Sequence, residues 1–455
     1  MKSSFRPFVL LLMCIFPAAI AGAAEAPLLA PGVPPDTAPL RPFTAFCWTT
    51  PGVLRHVKSL YWITTETRPA AAANDTKRMD EGTRVLFAWD WTRAMLTHPE
   101  DNCRDADGKL TKTSGVWPIQ GPTFIGEKFE DFLVAFKQAG GKIDFLVLDR
   151  EETRTCWVMN KQWLEAIAAD PRAPALIRRL GFSDLQLALY DNSKHGEYLA
   201  WNAITERIIN DAMDFAILRP LRRQFPSAGM SNFAGIGMSK QDLVADLNGV
   251  PQYTIGDPPG THQSPPIYGE TKTSNIKADW SRPFIQVIYA ANVMRCGLRN
   301  NNHRMIPWFG YKSWRNDMGH AIPWGGTPYW EEGLFQSLLS GGTSNVLFFN
   351  PPSKAPAPAT QSTEGAVLRD NEDMEAALAD LEEAARMSPI VSPLTVEPLS
   401  WDADFVVSAA KLADGATLAR VTFSENATKA TFRLAGQEMT VERPQGKVGA
   451  WVRVP

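Results

Sequence analysis

The sequence predicts an α/β fold, a (β/α) TIM-like barrel followed by a small C-terminal antiparallel β-sandwich domain. Three observations carry this expectation. Short apolar runs alternate with amphipathic helical stretches across residues 43–387, the pattern of βαβ units around a parallel sheet covered on both faces. Acidic, amide and aromatic residues stand directly after those runs, as they do at the carboxyl ends of barrel strands. From Ser388 onward the helical period stops, and short alternating segments separated by turn residues replace it.

The chain opens with Lys2 and Arg6, then the apolar run PFVLLLMCIFPAAIAG, then the small residues AGAAEAP. This is the charged, apolar and cleavage-site order of a secretory signal peptide, here residues 1–23. The run is short and Pro17 interrupts it, which argues against a membrane span, and Met13 is too large for the residue before a lipoprotein cysteine at Cys14. The mature chain is therefore expected to be secreted or periplasmic, with no stable membrane span. Residues 24–42 are proline-rich and read as an extended linker.

Phe43–Trp48 and Arg84–Trp91 read as buried strands. EKFEDFLVAFKQAGG is an amphipathic helix closed by Gly140 and Gly141, and it leads into the strand Ile143–Leu148. A helix over Trp163–Leu180 precedes the strand Leu185–Asp191, and a helix over Leu199–Phe225 precedes the strand Gly229–Gly235. Residues 249–277 form a Gly/Pro-rich excursion without clear periodicity. A helix (Arg282–Leu298), a strand (Met305–Gly310), a helix (Trp330–Leu339), a strand (Asn345–Asn350) and a helix (Glu372–Met387) complete the series. Residues 388–455 then supply six short β-like segments, from LTVEPLSW to GAWVRVP. Their expected role is packing against the barrel, with carbohydrate binding as the sharper alternative.

Composition excludes several classes. A hydrophobic content of 44% and a charged content of 21% are those of a folded chain rather than a disordered one. The leader carries two bases and no acid, so the mature chain has 44 basic against 49 acidic residues, a net of −5. Nucleic-acid binding calls for a basic stripe, which this balance does not supply. No phosphate-binding G-x-x-x-x-G-K-[ST] occurs, and no G-x-G-x-x-G follows the first strand, so neither nucleotide-binding reading has support. Cys47, Cys103, Cys156 and Cys296 remain after the leader, enough for two disulfides in any of three connectivities. None has zinc-ligand spacing and the six histidines are scattered, so neither a metal nor a cofactor is expected.

The barrel rule turns the search for chemistry into a reading of strand ends. Trp89 and Asp90 follow Val85–Ala88. Asp149 and Glu151 follow Phe145–Leu148. Tyr190 and Asp191 follow Leu187–Leu189, Asn232 lies in the next strand, and Tyr311 and Trp314 follow Ile306–Phe309. Rings that stack on pyranosides beside carboxylates and amides that bind hydroxyls suit a carbohydrate substrate. Strand alternation puts Asp149 and Glu151 on the face shared by Phe145 and Val147, with Cβ atoms roughly 7 Å apart. Two carboxylates that close push one pKa upward, keeping one protonated as a general acid. Glu152 takes that place if the strand ends early.

Asp149-Arg150-Glu151 resembles the strand-end D-x-E of hyaluronidases and chitinase-like glycoside hydrolases. The resemblance implies that Glu151 is the general acid/base. It also implies that Asp149 orients a 2-acetamido group whose carbonyl oxygen acts as nucleophile. Tyr311 is similar in position to the late-strand tyrosines that bind that group. An ordinary retaining mechanism instead needs a second carboxylate about 5–5.5 Å away, with Asp90 or Asp191 as the candidates. The chain thus reads as an exported glycoside hydrolase or, alternatively, as a non-catalytic carbohydrate-binding or cell-surface protein on the same scaffold.

Overall fold

The computed structural model describes residues 44–47, 57–77, 84–88, 91, 103–105, 107–109, 120–148, 170–172, 174–175, 214–233, 262–264, 266–267, 282–301, 304–310, 327–341, 345–349, 363–385, 388, 390–394, 396 and 399–455. In chain order the elements begin with β1 (Thr44–Cys47), β2 (Val57–Ser59), β3 (Tyr61–Ile63), α1 (Pro69–Thr76), β4 (Val85–Ala88), α2 (Gln120–Gln138) and β5 (Phe145–Leu148). A π-helical turn, Asp214–Leu218, runs into α3 (Arg219–Gln224), then β6 (Gly229–Phe233), β7 (His262–Ser264) and β8 (Pro266–Ile267). There follow α4 (Pro283–Asn301), β9 (Arg304–Met305), β10 (Trp308–Gly310), α5 (Pro328–Gly341), β11 (Asn345–Phe349) and α6 (Thr363–Ala385). The C-terminal strands are β12 (Ile390–Leu394), β13 (Phe405–Leu412), β14 (Thr417–Phe423), β15 (Lys429–Leu434), β16 (Gln437–Glu442) and β17 (Gly449–Val454).

The first eleven strands form two parallel sheets, ordered β2-β1-β11-β10-β8 and β3-β4-β5-β6-β7-β9. Parallel strands covered by helices are apolar on both faces, and β4 (VLFA) and β5 (FLVL) are buried at every position. The sheets meet where chain segments pass from one to the other. Only Leu60 separates β2 from β3, and only Pro265 separates β7 from β8. Ile306 and Pro307 separate β9 from β10. Proline has no N–H for the ladder, which accounts for the break at Pro307.

The observed elements extend the sequence reading and correct it in part. Residues 57–63 and 262–267 are strands with no counterpart in the predicted series, and Pro69–Thr76 is a helix likewise. The predicted strand Leu185–Asp191 lies outside the described residues. Both edges of β5 are occupied by β4 and β6, so the sheet passes directly from residues 145–148 to 229–233. The leader, the linker, residues 163–169 and residues 199–213 also lie outside the described residues. Among the cysteines only the side chain of Cys103 is described, so no disulfide pairing is assigned.

Helix α2 shows how sequence fixes one element on the sheet. Ile125, Phe129, Phe132, Leu133 and Phe136 are buried at helical spacing, while Glu127, Lys128 and Asp131 are exposed. The helix stops at Gly140, whose φ is +83°. The Gly140 N–H donates to the Lys137 carbonyl and the Gly141 N–H to that of Phe136, both at 2.9 Å. This is a Schellman cap, which needs a left-handed residue. A Cβ on Gly141 would come within 2.4–2.6 Å of three ring carbons of Phe136.

The C-terminal strands form a four-stranded antiparallel sheet, β12-β13-β14-β17, and a separate hairpin, β15-β16. Alternation divides β13 and β14 between two cores. Val407, Ala409, Ala419, Val421 and Phe423 pack with Ala430, Phe432 and Leu434 of the hairpin. Val406, Ala410, Leu412 and Leu418 pack instead with α4, α5 and α6. Helix α5 is buried from Glu332 through Ser340, and Glu332, Gln336 and Ser340, four residues apart, form one polar stripe toward this sheet. The Arg420 guanidinium pairs with the Glu332 carboxylate, and the Thr422 hydroxyl donates to Glu332 Oε2 at 2.6 Å. Gln336 Nε2 donates to the Arg420 carbonyl at 3.0 Å, and Ser340 Oγ meets Ser408 Oγ at 2.8 Å. The guanidinium also lies 4.8 Å from the Phe335 ring and 4.6 Å from the Trp451 ring.

Two substitutions test this account. Gly141→Ala is expected to lower stability by about 1–3 kcal/mol through overpacking, read as a lower midpoint in thermal unfolding. Glu332→Gln strips the buried partner from Arg420 and is expected to cost about 3–5 kcal/mol, measured by urea denaturation.

Candidate active site at the carboxyl ends of the parallel strands

The register defines rows across the larger parallel sheet. Tyr61, Leu86, Leu146 and Met230 are successive partners, as are Trp62, Phe87, Val147 and Ser231. Tyr61 hydrogen-bonds with Asp75 of α1, so its row faces the helices. Burial first, and the Asp75 carboxylate second, push the Tyr61 phenol up. The adjacent row turns the other way, and there the Trp62 and Phe87 rings lie 4.6 Å apart. The last common row is Ile63, Ala88, Leu148, Asn232 and Gln263. Because all these strands are parallel, the chain leaves each of them at the same edge of the sheet.

Of the predicted site residues, Asn232 alone falls in a described element, with its backbone between Leu148 and Gln263. Trp89, Asp90, Asp149, Glu151, Tyr190, Asp191, Tyr311 and Trp314 lie outside the described residues. Trp91, read as the end of a strand, is three residues past the end of β4 and fully buried. Its ring centroid lies 4.9 Å from Phe129 and 5.9 Å from Phe132 of α2. It is a packing residue, and its indole Nε1 has no hydrogen-bond partner among the described residues.

Features in the connections that follow these strands escape the sequence reading. The turn after β3 is held by Thr67, whose Oγ1 accepts from the Thr64 N–H at 2.7 Å. Cys103 and Arg104 follow β4, and Asp170 and Arg172 follow β5; these two stretches meet. The Asp170 carboxylate, 1% exposed, accepts from the Arg104 N–H at 2.7 Å and from the Arg172 N–H at 2.8 Å. It also accepts from the Arg172 guanidinium, at 2.9 Å from Nε and 2.7 Å from Nη2. Arg104 in turn donates to the Gly108 carbonyl at 2.9 Å. The signal in the sequence is Asp170-Pro171-Arg172, a side chain able to bond the backbone two residues on.

Electrostatics follow from this burial. Burial opposes charge on Asp170, but the Arg172 guanidinium and the two backbone N–H groups outweigh it and hold the carboxyl below its ordinary range. Burial, followed by the Asp170 charge, pushes the Cys103 thiol up to about 12, so it is no nucleophile at neutral pH. Among the described residues, no group of three or more His, Cys, Asp and Glu side chains is placed to hold a metal ion. No helix among them is long and apolar enough to cross a membrane.

The sign of the pH effect follows from the depressed Asp170 carboxyl. Its contribution is present above the ordinary aspartate value of about 4 and is lost as pH falls through the lower folded value. Wild type is expected to outlast Asp170→Asn in denaturant at pH 7, with the gap narrowing below about pH 4. Urea midpoints taken across that range check this.

No family model matches the chain, and no curated protein matches it in sequence. Solved structures similar to it include a hyaluronidase, a β-L-arabinopyranosidase and an endo-β1,6-glucanase. Bee venom hyaluronidase is 11% identical, over 54% of this chain and 77% of its own, with a TM-score of 0.29. A β-L-arabinopyranosidase of Geobacillus stearothermophilus is 10% identical, over 92% and 94%, with a TM-score of 0.34. An endo-β1,6-glucanase is 11% identical, over 81% and 70%, with a TM-score of 0.31. Scores this low carry no argument about fold or activity, which rest on the residues of this chain.

Proposed function

We propose that this chain is an exported glycoside hydrolase that cleaves a poly- or oligosaccharide at the carboxyl ends of a closed parallel barrel. The observation that carries the reading is the circuit of parallel pairings. Residues 44–47 pair with 57–59, 61–63 with 85–88, 85–88 with 145–148, and 145–148 with 229–233. Residues 229–233 pair with 262–264, the segment 262–267 with 304–310, 308–310 with 345–349, and 345–349 with 44–47. Each segment has a neighbour on both sides and the last returns to the first, which supports a closed barrel. A closed barrel of parallel strands gathers its strand-end residues around one mouth.

Asp149 and Glu151 follow β5 in the sequence. Alternation continued from Val147 assigns Asp149 and Glu151 to the row of Trp62 and Phe87, away from the helix-facing row of Tyr61. In this reading Glu151 protonates the glycosidic oxygen as the bond breaks and then deprotonates the incoming nucleophile. Asp149 orients or stabilises the charge that develops on the sugar. Trp89, Asp90, Tyr190, Asp191, Asn232, Tyr311 and Trp314 supply rings and hydrogen bonds to the sugar units.

The C-terminal residues 388–455 act, in this reading, as a small β-sandwich that braces the barrel rather than as a sugar-binding module. Trp401 and Trp451 pack against the helical core, while the exposed hairpin face pairs Lys429 with Glu442 and Arg433 with Glu438. That face offers charge where sugar binding favours exposed rings.

Hydrolysis of a panel of soluble polysaccharides by the wild type and by Glu151→Gln tests the assignment. The variant is expected to lose on the order of 10³-fold in kcat/KM and to keep glycan affinity. A wild type that binds glycan and hydrolyses none of the panel overturns the enzymatic reading in favour of a carbohydrate-binding protein.

A further inference from the structure

We infer that Asp170 is a positioning residue that locks the connection after β4, which carries Asp90, to the connection after β5, which carries Asp149 and Glu151. The role rests on the glycoside hydrolase reading for its consequence, but the lock itself stands on geometry. Asp170 is buried, and its two carboxylate oxygens accept four hydrogen bonds. Oδ2 takes the Arg104 N–H of one connection and Nη2 of Arg172 in the other. Oδ1 takes the backbone N–H and Nε of Arg172. The carboxylate therefore joins two stretches that are 66 positions apart through bonds on both sides.

Its partners are themselves tied down. Arg104 holds the Gly108 carbonyl, and Asp105 Oδ1 accepts from the N–H groups of Asp107 and Lys109 at 3.0 and 2.9 Å. One side of the lock is thus a small self-bonded loop and the other a turn closed by Asp170 itself. Displacing either would leave a buried carboxylate short of donors, which costs more than an ordinary hydrogen bond. The lock bears on the site because, in the glycoside hydrolase reading, Asp90 and the Asp149–Glu151 pair belong to the two connections it joins and must meet one sugar together.

Amide hydrogen exchange on the intact protein tests the lock without any substrate. Asp170→Asn is expected to raise exchange by about tenfold or more, the factor for losing a charged hydrogen bond. The rise should fall in peptides covering both 101–109 and 170–175, with those covering β4 and β5 unchanged. A rise confined to 170–175, or none, overturns the inference. Should that variant fail to fold, Arg172→Gln replaces it with the same two outcomes, since it strips the guanidinium from a partly exposed position.

Kinetics separate positioning from plain stability on any glycan the wild type hydrolyses. Asp170→Asn is expected to lower kcat by about tenfold while KM stays within about twofold, and an unchanged kcat overturns the positioning role. If the wild type hydrolyses nothing, the glycoside hydrolase reading fails and the exchange pattern alone decides the lock.

Discussion

A carboxylate buried on a helix is costly unless opposite charge and hydrogen bonds come to meet it. Glu332 on α5 sets that demand, and much of the C-terminal half is arranged to satisfy it. Arg420 and Thr422 alternate with Val421 along β14, so one face of the strand supplies the donors while the other joins the hairpin core. Gly449 lies against Glu332 where any side chain would collide with the carboxylate. Gln336 and Ser340 continue the same polar stripe onto Thr422 and Ser408. Register between helix and sheet is therefore set by polar matching, and apolar packing fills in around it.

The same contact reaches toward the parallel strands. Chain leaving β8 and β10 enters α4 and α5, and the first turns of these helices are held by the sheet corner at residues 423–425. The Tyr329 hydroxyl donates to the Phe423 carbonyl at 3.1 Å, and the Arg282 guanidinium pairs with Glu425 at 2.6 Å. Deeper along α4, Arg295 donates to the Val407 carbonyl at 2.6 Å. A sheet bonded to two successive helices at both depths behaves as part of one framework with them. The Asp170 cluster does comparable work for the connections after β4 and β5, with a single carboxylate in place of a sheet.

How much of this was legible in the sequence depends on what each residue had to reveal. VLFA and FLVL announce buried parallel strands because both faces are covered, and the Gly140-Gly141 pair announces the end of α2. VKSLYWI mixes a charge into its run, and HQSPPI contains two prolines, so neither shows the continuous apolar signature of a fully covered strand. Pro69 at the first turn of an Ala-rich stretch was a readable signal for α1, although Arg68 before it provides no side-chain cap. For the site, alternation could assign Asp149 and Glu151 to one face from spacing alone. The pairing of Asp170 with Arg104 could not be foreseen, because it joins two loops and no period relates their positions. The Glu332, Gln336, Ser340 stripe was visible as polar residues four apart in an apolar helix, but its partners, 68 to 90 positions onward, were not.

That separation bears on how the chain is made. Glu332 leaves the ribosome 88 residues before Arg420, and β14 gains its second neighbour only when Gly449–Val454 follows. At ordinary rates of translation the interval is on the order of ten seconds, long compared with helix formation or collapse. During it, the Glu332 carboxylate in the second turn of α5 has yet to meet its arginine. The residue that is most demanding in the finished protein thus waits for a partner synthesised 88 positions after it.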